Sequence, residues 1–173
     1  MSFMMRKLLL FLSVIIIAGC GFKLRGAIIW PVEYQNVYMV DYDSTQRHTF
    51  YAYAKNFFPK HVVIVDNPRN ADMIIQVLSE NQTTRTVSGL AANRETEEVV
   101  TLNISVQVFD QAGKMIMPAT TLMRERDFTY DESNLLGKST DQQAVSNTLR
   151  QETAAMFMRR LEAAMRNIDE IKP

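Results

Sequence analysis

Apolar and polar residues alternate most regularly over residues 101–109, TLNISVQVF. Leu102, Ile104, Val106 and Val108 point one way, and Thr101, Asn103, Ser105 and Gln107 the other. That period of two predicts a strand with one core face and one wetter face. The polar face fits open water or a polar contact in a barrel lumen, and the pattern leaves both open. DQAG, residues 110–113, predicts a hairpin turn, with a further strand from Lys114 and a bulge or edge position at Pro118. Leu122, Arg124, Arg126 and Phe128 continue it as a mixed face, so that Arg124 and Arg126 share one side. Upstream, β-rich runs at 36–42 and 61–66 and a long strand beginning at 71–79 complete the strand set.

Helical spacing marks two other stretches. Phe50, Tyr53, Ala54 and Phe57 predict a helix over 46–58, capped by Ser44 or Thr45 and stopped by Pro59. Val145, Leu149, Met156, Phe157, Leu161, Met165 and Ile168 form one apolar stripe on a terminal helix of about 25 residues. Asp141 or Thr140 is its expected cap, and Arg150, Glu152, Arg159 and Glu162 its polar face. Its charge is mixed, which favours a core helix over a membrane-surface one. The order β-α-β, three longer strands, then α implies an α+β fold. Two helices pack on one face of a mixed four- to five-stranded sheet, giving a two-layer sandwich. Residues 80–97, polar and containing Gly89, are expected to form a loop joining two long strands.

The start of the chain has a different character. Arg6 and Lys7 precede a ten-residue apolar run, Leu8 to Ile17, broken only by Ser13. That is shorter than the roughly 20 residues a bilayer-spanning helix needs, and it has the shape of an export signal. IAGC, ending at Cys20, resembles the lipobox of bacterial lipoproteins. Cys20 would then become the acylated first residue, held to a membrane by several acyl chains without a spanning helix. The expected division is a signal at 1–19, a lipidated tether at 20–32, one α/β domain at 33–168 and a tail at 169–173.

The chain carries 19 basic and 19 acidic residues; removing 1–19 leaves 17 basic against 19 acidic. This near-neutral balance gives no general pull towards nucleic acid. One cysteine excludes an intrachain disulfide, and two histidines, His48 and His61, are too few for a histidine-built zinc site. There is no G-x-S-x-G, P-loop or H-E-x-x-H. Glu95 and Glu97 are expected on one strand face and Glu98 on the other, as a solvated run. No catalytic set, metal site or cofactor is indicated. A local set of cations remains: Arg85 and Arg94 flanking a loop tip, Arg124 and Arg126, and Lys138 in LLGKST before the last helix. Such groups suit an anionic amphiphile, or serve as ordinary solvating charges paired with Glu125, Asp127 and Asp141.

AGCGFKLRG at 18–26, the segment TVSGLAANRETEEVVTLNISVQVFDQAGK and the terminal DQQAVSNTLRQETAAMFMRRLEA resemble the LptE family of lipopolysaccharide-assembly lipoproteins, also called rare lipoprotein B. The resemblance implies a non-enzymatic outer-membrane lipoprotein, lipidated at Cys20. It would sit as a plug in an LptD-like β-barrel, assist assembly of that barrel, and bind lipopolysaccharide. It also implies ligand contacts at Lys138 and at Arg85 or Arg94; Arg124 and Arg126 remain further basic candidates from the strand pattern alone. The competing expectation is a free, lipid-anchored, periplasm-facing binding domain or chaperone with no barrel partner.

Overall fold

Three long strands carry the architecture of this computed structural model, which describes residues 30–40, 50–89, 95–131, 133 and 135–171. They are β3 (Met73–Gly89), β4 (Glu95–Asp110) and β5 (Met115–Asp131), joined as an antiparallel meander. Two short strands, β1 (Asn36–Val40) and β2 (Val63–Ile64), add in parallel on the β3 side. The sheet order is β2-β1-β3-β4-β5, so β5 is an edge. Helix α1 (Phe50–Ala54) runs into a 3-10 turn at Lys55–Phe57, and α2 (Leu135–Ile171) closes the chain. Both helices lie on one face, as the α+β expectation has it.

Lengths match between the layers. A 37-residue helix and 17-residue strands are each about 55 Å long, so α2 runs back along the whole meander. The helix is longer than the apolar stripe suggested because its first two turns carry few apolar side chains. Residues 140 and 141 are interior helix, not caps. The turn into α2 is closed by Asp131, whose Oδ1 accepts the Ser133 backbone N–H and Oγ–H at 2.8 and 2.7 Å. Strand β2 is shorter than the 61–66 run, and residues 68–70 form a 3-10 turn. The helix start at 46–49 and the caps Ser44 and Thr45 lie outside the described residues.

Bulges shift the alternation. On β3, Met73, Ile75 and Val77 face the helices; past the bulge at Leu78 the inward set becomes Glu80, Gln82, Thr84 and Thr86. A second shift falls at Val87, and another on β5 around Pro118, where Ile116 and Met117 are both buried. Residues 80–89 are thus strand rather than loop, and the connection shrinks to 90–94. The opposite hairpin turns at Asp110–Lys114, where Gly113 takes φ +81° and Asp110 Oδ1 accepts the Lys114 N–H at 2.7 Å.

The layer between sheet and helices has two halves. Near the 110–114 turn it is apolar: Val37, Met39, Phe50, Ile75, Val77, Ile104, Val106 and Val108 meet Ala154, Phe157, Met158, Leu161 and Met165. Phe50 and Phe157 stack edge to face at 5.5 Å. Towards the 90–94 loop the layer becomes mixed, with Val100, Leu102, Phe128 and Leu149 still buried beside polar inward positions. There Glu80, Gln82, Thr84, Glu98, Arg124 and Arg126 face the first half of α2. The outer sheet face is covered by neither helix. Cross-strand rows of hydroxyls and amides fill its middle, and Ser105 with Thr121 (3.0 Å) and Gln107 with Gln76 (2.8 Å) hydrogen-bond side chain to side chain.

Candidate functional site

Lys138 stands in the first turn of α2, not before it. A cation there opposes the helix dipole, and no acidic residue in that turn offsets it. The offset comes across the layer from β4. Lys138 Nζ donates to Glu98 Oε1 at 2.7 Å and to the Tyr130 hydroxyl at 2.9 Å. Tyr130 in turn donates to Glu98 Oε1 at 3.2 Å, and its ring lies 4.1 Å below the ammonium. Phe128 packs beside Tyr130. These contacts, the Glu98 hydrogen bond first and the Tyr130 one second, raise the Lys138 pKa above its ordinary value. The cluster is amphipathic: an ion pair and a phenol on an aromatic shelf, with 28% of the Lys138 side chain still exposed. Its accessible member is a point charge suited to a phosphate or carboxylate.

Glu98 was expected in a solvated acidic run. Strand parity instead turns it inward, and its side chain is 9% exposed. Local sequence could not signal this, since the partner lies 40 residues away.

Arg124 and Arg126 do share one face, and it is the face that α2 covers. Arg126 pairs with Glu152 of α2 at 2.5 Å rather than with Glu125, Asp127 or Asp141, and both partners are over 40% exposed. Arg124 is half-buried beside Leu102, across from Gln82. Arg150, expected on the polar helix face, is drawn inward to Glu80 at 2.7 Å. Arg85 is exposed on the opposite face of the sheet, beside Val99. Lys138 and Arg85 are therefore at the same end of the sandwich but on different sides of it. Cys20 and Arg94 lie outside the described residues, as do the 1–19 signal, His48 and all of the tether up to residue 29. Among the described residues no cluster of acidic or histidine side chains is arranged to hold a metal ion, and no helix is long and apolar enough to cross a membrane.

The comparisons with known proteins meet this geometry. A family model described as LptE, lipopolysaccharide-assembly, matches residues 33–161, which takes in every strand and most of α2. The chain belongs to the LptE family. An LPS-assembly lipoprotein LptE of Pectobacterium atrosepticum is 30% identical over 155 residues, covering 89% of this chain and 83% of that protein. Two solved structures share the LptE-family fold at lower identity. A lipoprotein B of Nitrosomonas europaea superposes with TM-score 0.63 at 18% identity, over 83% of this chain and 91% of the other. A minor lipoprotein of Acinetobacter baumannii gives TM-score 0.61 at 17% identity, over 77% and 94%. Within the matched span lie Lys138, Glu98, Tyr130 and Arg85, so the ion-paired cluster is built on LptE-family elements.

Proposed function

We propose that this chain is a non-enzymatic, lipid-anchored subunit of the lipopolysaccharide-assembly apparatus at the outer membrane, held there through an acylated Cys20. In this reading it occupies an LptD-like β-barrel as a plug, assists assembly of that barrel, and contacts lipopolysaccharide during insertion into the outer leaflet. The observation that carries the reading is the family match across residues 33–161. Two features of the chain support the finer parts. The uncovered sheet face presents hydroxyl and amide rows suited to a wet lumen wall. The end of the sandwich near residues 90–94 bears two cations that suit lipid phosphates, Lys138 on the helix side and Arg85 on the other, and Arg94 is added to them from the sequence. Arg124 and Arg126 are secondary contacts, since both face α2 first.

Purification of the full-length tagged protein from its native envelope in mild detergent, with mass spectrometry of stoichiometric partners, tests the plug. A large outer-membrane barrel at one to one supports it. A solitary acylated protein shifts the role to a free periplasm-facing binding domain. Joint removal of charge at Lys138 and Arg94 is expected to weaken lipopolysaccharide binding at matched salt. Unchanged binding refutes the site.

A further inference from the structure

Among the described residues, the ion pairs Arg126–Glu152, Arg150–Glu80 and Lys138–Glu98 bridge the sheet and α2, and they differ in kind. Arg126–Glu152 is exposed on both sides. In Arg150–Glu80 neither partner is open to solvent to any large extent, at 14% and 6% side-chain exposure. Of these pairs, Lys138–Glu98 joins an accessible, flexible cation to a buried, fixed anion, at 28% and 9%.

The asymmetry decides what happens when an anion arrives. Two of the three donors of the Lys138 ammonium are committed, one to Glu98 and one to Tyr130. A phosphate can recruit the ammonium fully only by drawing it away from those acceptors. The four-carbon lysine stem can swing outward; Glu98, on the inner face of β4 and held by the Tyr130 hydroxyl, stays where it is. Its carboxylate would then be left buried without its cation, which is costly. The incoming phosphate also meets that carboxylate as a like charge.

The geometry points to Glu98 as a built-in competitor for the ligand's phosphate, a carboxylate that holds Lys138 at rest and keeps capture of a phosphorylated amphiphile weak enough to reverse. This rests on the reading of Lys138 as a ligand contact. Glu98 acts through Lys138 and is a positioning residue, as is Tyr130. Its role is to set affinity downward: a transit protein must release what it binds, and a lysine with a resident counterion binds less tightly than a free one. The shared ligand chemistry is a phosphate on an amphiphile, from lipopolysaccharide or from an anionic phospholipid.

The test uses full-length protein in mild detergent, carrying Glu98→Gln, Lys138→Ala, both together, or Tyr130→Phe. The probes are purified lipopolysaccharide, the same material stripped of phosphate, and phosphatidylglycerol vesicles. Glu98→Gln is expected to tighten binding of phosphorylated lipopolysaccharide about three- to tenfold, as expected on removing a competing ion pair whose cation is partly exposed. Binding of the dephosphorylated material should not change, and on the Lys138→Ala background the gain should vanish. A gain on lipopolysaccharide alone, or on the vesicles as well, supports displacement and identifies the phosphate source. If Lys138→Ala weakens binding and Glu98→Gln leaves it unchanged or weaker, the competitor role falls and the Lys138 contact stands. If Lys138→Ala changes nothing, the contact falls and the competitor role with it. A gain from Glu98→Gln that persists without Lys138 is a general charge effect and overturns the inference. Should Glu98→Gln fail to fold, Tyr130→Phe still decides: loosening the tether should raise affinity about twofold, and no rise refutes the mechanism.

Discussion

Glu80 ties together three elements, so its removal gives a sharp test of how the layers are joined. Its carboxylate accepts the Phe50 N–H that begins α1 at 2.8 Å and Arg150 Nε of α2 at 2.7 Å. Glu80→Ala would leave the Arg150 guanidinium, 14% exposed, without this partner. Breaking a buried pair from one side costs about 3–5 kcal/mol; partial access of water to Arg150 argues for about 3 kcal/mol. The unpaired Phe50 N–H adds about 1 kcal/mol. The total of about 4 kcal/mol should lower the melting temperature by about 12 °C in a chain of this size. Glu80→Gln keeps an acceptor for Phe50 and should lose about half as much. Thermal melting followed by circular dichroism reads both, and a double-mutant cycle with Arg150→Met isolates the pair. In that cycle the double variant should be less damaging than the sum of the singles by about 2 kcal/mol. A Glu80→Ala loss below about 1 kcal/mol, or strict additivity, would refute the claim that this pair joins the layers.

Other expectations follow from single contacts. Phe157→Ala empties the edge-to-face seat against Phe50 and should cost about 3–5 kcal/mol in denaturant unfolding. Gly113→Ala meets no steric neighbour, yet φ of +81° imposes a penalty of about 1 kcal/mol, readable as a lower urea midpoint. Because the folded pKa of Lys138 is raised, its contribution to stability is complete below the ordinary lysine value of 10.5. That contribution fades as pH climbs through the higher folded value. Melting curves of wild type and Lys138→Met should therefore converge above that point, and a gap that widens with pH would reverse the assignment.

The meander was legible where the alternation was clean. Leu102, Ile104, Val106 and Val108 face inward as the pattern requires, and DQAG turns where expected. Strand β3 was legible only to residue 79, because the bulge at Leu78 flips which residues face the core. After it, the inward positions are polar and read as a loop. Of α2, the start was missed: residues 135–140 lie ahead of the expected cap at Thr140 or Asp141, and between Leu136 and Val145 no apolar side chain but Ala144 carries the stripe back to them. Lys138 was identifiable as a basic candidate from its place in LLGKST. Its partners Glu98 and Tyr130 were not, since they come from two strands whose registry the local sequence does not encode. Arg124 and Arg126 showed their shared face but not which face it was, because parity alone does not say where the helix lies.

The divided layer between sheet and helix has a consequence for motion. At the 110–114 end, opening the sandwich exposes Ile75, Val106, Val108, Phe157 and Leu161, and each buried apolar Å² resists by about 25 cal/mol. At the 90–94 end, Val100, Leu102, Phe128 and Leu149 still bury apolar surface, but hydrogen bonds and ion pairs that water largely replaces on opening make up more of the contact. Local opening should therefore be graded along the length of α2, with amides near 138–146 exchanging well before those near 157–165. The molecule is thus stiff at one end and yielding at the other. The yielding end bears Lys138, whose ion pair with Glu98 can open there while the rest of the fold stays intact.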